Sequence, residues 1–169
     1  MITGKIDFGT GTVTYDTNSL ATATQVSTWT NAKVTLSTGN FSSVLAGTPV
    51  SLATPWIFNL GTPGSPLPGP ATNPLWQVGG FSFALASSTI ITQTVNFLNV
   101  SGPGTITGNM FDPTPGTWSF TSTNSNGAPQ TSFTFTTDTA AVPDGGTAVA
   151  LLGLAFAGLE GARRVLRRH

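Results

Sequence analysis

The chain has 169 residues, no cysteine, one histidine (His169) and a formal net charge of zero. Only 7% of its residues are charged, far below the roughly 25% of ordinary soluble domains, and before Arg163 the basic side chains are Lys5 and Lys33 alone. This composition excludes thiol catalysis, cysteine-held metal and disulfide staples, and with them the basic footprint of a nucleic-acid binder.

The first segments alternate. Ile2, Gly4, Ile6 and Phe8 share one face of a strand, and Gly9 to Gly11 is expected to turn it back onto Val13 and Tyr15 as a hairpin. Residues 21–36 are rich in Thr and Val around Trp29, which favours one or two strands over a helix. Ser37 to Asn40 form a turn, and residues 41–60 give mixed signals around Pro49 and Pro55. Five prolines and three glycines between Gly61 and Pro74 predict a long surface loop with no interior strand, a candidate contact surface.

Three strands follow: Leu75 to Val78, Phe81 to Leu85, and Ile90 to Val100, with Gly79-Gly80 and Ala86 to Ser88 between them. The set is completed by Thr105 to Thr107, the Trp118/Phe120 pair and the Phe133/Phe135 pair. Asp112 to Gly116 reads as a proline turn, and Asn126-Gly127 as a hairpin signal. Many short strands with no helix between them predict an all-β fold: an antiparallel β-sandwich, jelly-roll-like or Ig-like, over residues 1–137.

The composition then changes. Residues 138–146 are a linker ending in the turn-prone Val142, Pro143, Asp144, Gly145 and Gly146, and 147–169 hold an apolar run followed by arginines. From Thr147 to Leu159 the run has no charged side chain and an Ala- and Leu-rich composition, so a C-terminal hydrophobic helix is expected. At about 1.5 Å per residue, residues 147–162 would span on the order of 24 Å, against roughly 30 Å of hydrocarbon. Arginine snorkelling and local thinning can close that difference. Arg163, Arg164, Arg167 and Arg168 would then sit among headgroups at the cytoplasmic membrane interface.

This three-part order resembles the C-terminal sorting signal of exosortase substrates, the PEP-CTERM proteins, in the variant reading Val-Pro-Asp-Ser/Gly-Gly or Ser. The resemblance covers about the last 28 residues. Two features depart from the pattern: Glu160 interrupts the apolar helix, and Val165-Leu166 split the arginines. It implies that a membrane-embedded exosortase, a protease or transpeptidase, recognises Val142 to Gly146, removes the helix, and releases or transfers the remainder to the cell surface or exterior. The chain would be held transiently in the inner membrane. The region from Val95 to Phe120 also looks like the ectodomain of such exported proteins, without implying any chemistry. An exported chain needs a leader, and Met1 to Gly4 runs straight into strand-like sequence, so a trimmed signal peptide is expected.

No catalytic constellation stands out. His169 lies beyond the arginines, Glu160 is the only glutamate, and no pair of aspartates is singled out by spacing, so a non-enzymatic chain with neither metal nor cofactor is expected. Core packing is the default for the alternating aromatics. Trp56 and Trp76 are nevertheless candidate ligand-binding residues for an extracellular polysaccharide, with Trp56 beside the proline-rich stretch. Low charge and Thr-rich strands with few lysines to guard their edges also make self-association into a fibre or sheath an alternative.

Overall fold

A computed structural model describes residues 1–123 and the backbone of residues 131–139. These described residues form twelve strands: β1 (Lys5–Gly9), β2 (Thr12–Tyr15), β3 (Gln25–Thr30), β4 (Lys33–Ser37), β5 (Ser51–Leu52), β6 (Trp56–Ile57), β7 (Thr72–Val78), β8 (Phe81–Leu85), β9 (Thr89–Gln93), β10 (Phe97–Gly108), β11 (Phe111–Thr123) and β12 (Thr131–Thr139). Two short 3-10 helices, Leu20–Thr22 and Gly39–Ser43, lie in connections. All strand pairings are antiparallel.

Register shows that several of these strands are halves of longer staves. Phe8 faces Phe135 and Thr12 faces Ser132, so β1 and β2 run end to end along β12. The three residues between them oppose two on β12, a bulge with Thr10 at φ 65. The expected hairpin at Gly9 to Gly11 is therefore corrected: the chain bends there and keeps going. It reverses only through residues 16–24, and 25–37 return alongside 5–15, as β3 on β2 and β4 on β1. In the same way β8 and β9 lie end to end along β10.

The ladder path starts at β5 and ends at β6, and these two strands are separated only by Ala53-Thr54-Pro55. They are parts of one stave, 47–60. It is held to 25–37 by Val34 N–H to Thr48 O (2.9 Å) and Val50 N–H to Ala32 O (3.0 Å), and on its other flank to 67–78 by Ala53 N–H to Leu75 O (2.9 Å). The circuit therefore closes. Staves 5–15, 25–37, 47–60, 67–78, 81–93, 97–108, 111–123 and 131–139 each pair with the next, and the last pairs with the first. This is an up-and-down antiparallel barrel. The expected two-sheet sandwich is corrected accordingly: an even meander makes no crossover between layers, and eight strands enclose just enough space for side chains to fill.

Two proline expectations also change. Asp112 to Gly116 is not a turn but the start of β11. Pro113 and Pro115 stand near the start of the strand, before Gly116, the first β11 residue to face the described part of β12, opposite Thr139. The predicted loop at 61–74 is shorter than its composition suggests. Leu60 N–H donates to Leu67 O (3.2 Å), Gly69 bridges Ser88, and β7 begins at Thr72, with Pro74 in the register shift between Thr72 and Trp76.

The lumen is filled. Along β11, Thr114, Gly116, Trp118, Phe120 and Ser122 are buried at period two. Phe81, Phe83 and Leu85 do the same on β8. Phe8 meets Trp76 edge-on at 5.1 Å, and Trp76 stacks on Phe83 at 5.9 Å. A side chain at Gly104 would collide with the Phe83 ring, so that ring lies across β10 only because the position is bare.

Candidate functional site

The candidate residues divide into two groups. Val142, Pro143, Asp144, Gly145 and Gly146 lie outside the described residues, as do Arg163, Arg164, Arg167, Arg168 and the expected hydrophobic helix. Among the described residues no helix is long and apolar enough to cross a membrane.

Trp56 and Trp76 are placed, and neither is available to a sugar. Both are 0% exposed, whereas a stacking platform needs a ring face in contact with solvent. Trp56 is enclosed by Trp118 (5.2 Å), Phe120 (5.3 Å), Phe58 (5.5 Å) and Trp29 (6.0 Å). The reason is the meander: it turns β6 so that Trp56 points into the lumen. The ligand-binding expectation for this pair is corrected to core packing.

The ionisable side chains of the body are dispersed. Asp7 is buried and pairs with Lys5 at 3.1 Å. Asp16 accepts from the Thr24 and Gln25 N–H groups (3.0 and 3.2 Å) and from the Thr24 hydroxyl (2.6 Å), which fastens the 16–24 connection. Asp112 is exposed at the opposite end. Among the described residues, no three His, Cys, Asp or Glu side chains gather at one point.

The feature that bears on function is the end of the barrel where the tail begins. Because the stave number is even, residue 5 and residue 139 emerge together: Lys5 faces Asp138, and Thr139 faces Gly116. The same rim carries the 38–46 connection, the Gly79-Gly80 turn and the Asn109-Met110 turn. In each of these two-residue turns both central residues have positive φ, 56 and 83 for the glycines, 50 and 63 for Asn109 and Met110. That geometry matches the strand twist of a tight hairpin. The Asn109 side-chain amide donates to Gly79 O (3.1 Å), which locks the two tips side by side. A shallow cleft of about 380 Å³ lies on this rim, lined by Gln77 to Ser82. The Asn109-Met110 reversal was hidden in the sequence because Met gives no turn signal; Gly108 before it and the spacing of Ile106 from Phe111 were the only cues.

Comparison with known proteins places one match at the C-terminus: residues 141–166 match the family described as VPDSG-CTERM motif, in agreement with a PEP-CTERM-type C-terminal sorting domain. The match includes Val142 to Gly146, the apolar run and the first two arginines. Such a motif supports an exported chain directed to an exosortase-type membrane enzyme. No curated protein and no solved structure matches the chain.

Proposed function

We propose that this chain is a non-catalytic exported protein, a closed β-barrel carried to the cell surface or extracellular matrix by a C-terminal signal that an exosortase removes. The observation that carries the reading is the sequence order of the tail, a Val-Pro-Asp-Gly-Gly signature, an apolar run and then arginines, of which residues 141–166 match the sorting motif. The arginines hold the end of the chain at the cytoplasmic interface, the run lies in hydrocarbon, and the signature stays on the far side, where a membrane-embedded enzyme reaches it. The body then needs no cysteine, because a filled barrel buries its aromatics and satisfies its own backbone hydrogen bonds.

The body reads as a scaffold and not as a receptor, because its tryptophans are inside. The fibre reading was motivated by unguarded sheet edges; closure of the circuit takes that motive away, since the staves have neighbours on both flanks. The test is fractionation of the native host followed by intact-mass spectrometry. The expected product is found outside the inner membrane with a C-terminus near Val142 to Gly146. A full-length chain retaining Arg163 to Arg168 at the cell surface would refute the reading.

A further inference from the structure

The rim from which the tail leaves is also apolar. Met110 is fully exposed at the tip of the β10–β11 hairpin, Phe111 beside it is 36% exposed, and Leu45 on the neighbouring connection is 72% exposed. These belong to one surface. The Asn109 amide ties this tip to Gly79, and Gly79 lies against the Val44 side chain, next to Leu45. Phe111 stacks on Phe81 at 6.4 Å, so its ring is fixed at the rim. Around these side chains the rim carries Thr, Asn, Ser and Gly, and its charges are Asp112 on the hairpin, paired with the Met1 amine at 3.6 Å, and Lys5, paired with Asp7.

We propose that this rim docks on the lipid bilayer while the tail is anchored, with Met110, Phe111 and Leu45 entering the headgroup layer. The inference rests on the proposed membrane anchoring of residues 147–159. The argument for lipid, over any other occupant, is where the described chain ends and how much follows. β12 runs antiparallel to β11, so at Thr139 the chain is heading toward the hairpin tip. Thr139 is level with Gly116, and Phe111 lies five residues farther along. At about 3.3 Å per residue the tip therefore projects roughly 17 Å beyond Thr139, and less along the axis of a tilted barrel. Residues 140–146 reach at most about 25 Å before the apolar run begins at Thr147. A linker that spans less than about 13–17 Å along the membrane normal, roughly half to two-thirds of its full extension, brings the hairpin tip into contact with the membrane. A surface held that close, and carrying exposed Met, Phe and Leu, gains by burying them.

The absence of native cysteine makes the test direct. The full chain is made as Met110→Cys, and separately as Leu60→Cys, whose site is 58% exposed in the stave that turns at the opposite end of the barrel. Each is labelled with an environment-sensitive fluorophore and reconstituted into phosphatidylethanolamine/phosphatidylglycerol vesicles, and near-ultraviolet circular dichroism verifies the fold. The expected result is a blue-shifted label at position 110, quenched several-fold more by doxyl lipids than the label at position 60, with the reverse order for aqueous iodide. If the chain floats with the vesicles and the two labels respond alike, the docking proposal is wrong while anchoring stands. If the chain does not float with vesicles at all, anchoring is wrong and docking falls with it.

Discussion

Trp56 gives the most demanding test of the packing. It is wholly buried on β6, the short strand at one end of the ladder path, and four aromatic rings lie within 6.0 Å of its own. Replacing it with alanine removes a large buried side chain and leaves a cavity among rings that are themselves held by backbone ladders and cannot collapse to fill it. Truncations of this kind cost about 3–5 kcal/mol. For a body of about 140 residues that corresponds to a fall in Tm on the order of 10–15 °C. The measurement is thermal unfolding of the full chain in mild detergent, followed by near-ultraviolet circular dichroism, with Met110→Ala as an exposed control expected to stay within about 0.5 kcal/mol of the parent. A Trp56→Ala protein that unfolds within about 2 °C of the parent would show that the ring does not fill the lumen. The polysaccharide platform would then regain its basis.

Three further outcomes follow from the same packing. The Trp29 indole N–H donates to Ala53 O at 2.9 Å, whereas the Trp56 indole N–H has no acceptor among the described residues. An unsatisfied buried donor costs about 1–3 kcal/mol, so Trp56→Phe should offset part of its lost packing and destabilise less than Trp29→Phe, although Trp56 is the more deeply buried; urea midpoints in the opposite order would contradict this. Gly104→Ala should lower stability by about 1–3 kcal/mol by pushing on Phe83 and the Ala84 carbonyl, and an unchanged urea midpoint would count against the tight approach. Asp16→Ala should cost about 1 kcal/mol by freeing the Thr24 and Gln25 amides, and hydrogen exchange should rise at those amides and not across the barrel.

How much of this was legible varies with the range of the interaction. Period-two burial at Phe81, Phe83 and Leu85 and at Trp118 and Phe120 could be read directly, because strand periodicity is local. So could the Gly79-Gly80 turn, since glycine tolerates positive φ cheaply. The prolines misled near the start of β11. Asp112 to Gly116 carries turn chemistry, yet it lies in a strand, because β10 pairs with it: Thr114 faces Ile106, Pro115 faces Thr105 and Gly116 faces Gly104. Gly9 to Gly11 misled differently: glycines serve a bulge as readily as a reversal, and only the partner strand decides between them.

The sequence alone determined that this is an antiparallel β protein without staples, that its body carries little charge, and that it ends in a sorting tail; composition, periodicity and a contiguous motif all reside in neighbouring residues. Tertiary structure decided that twelve strands make eight staves, four of them kinked pairs of shorter strands, that the circuit closes through Ala53 to Pro55, and that Trp56 and Trp76 face inward. Register between segments tens of residues apart sets each of these. A shift of one residue would have turned the same tryptophans out to water, so no local pattern could contain the answer.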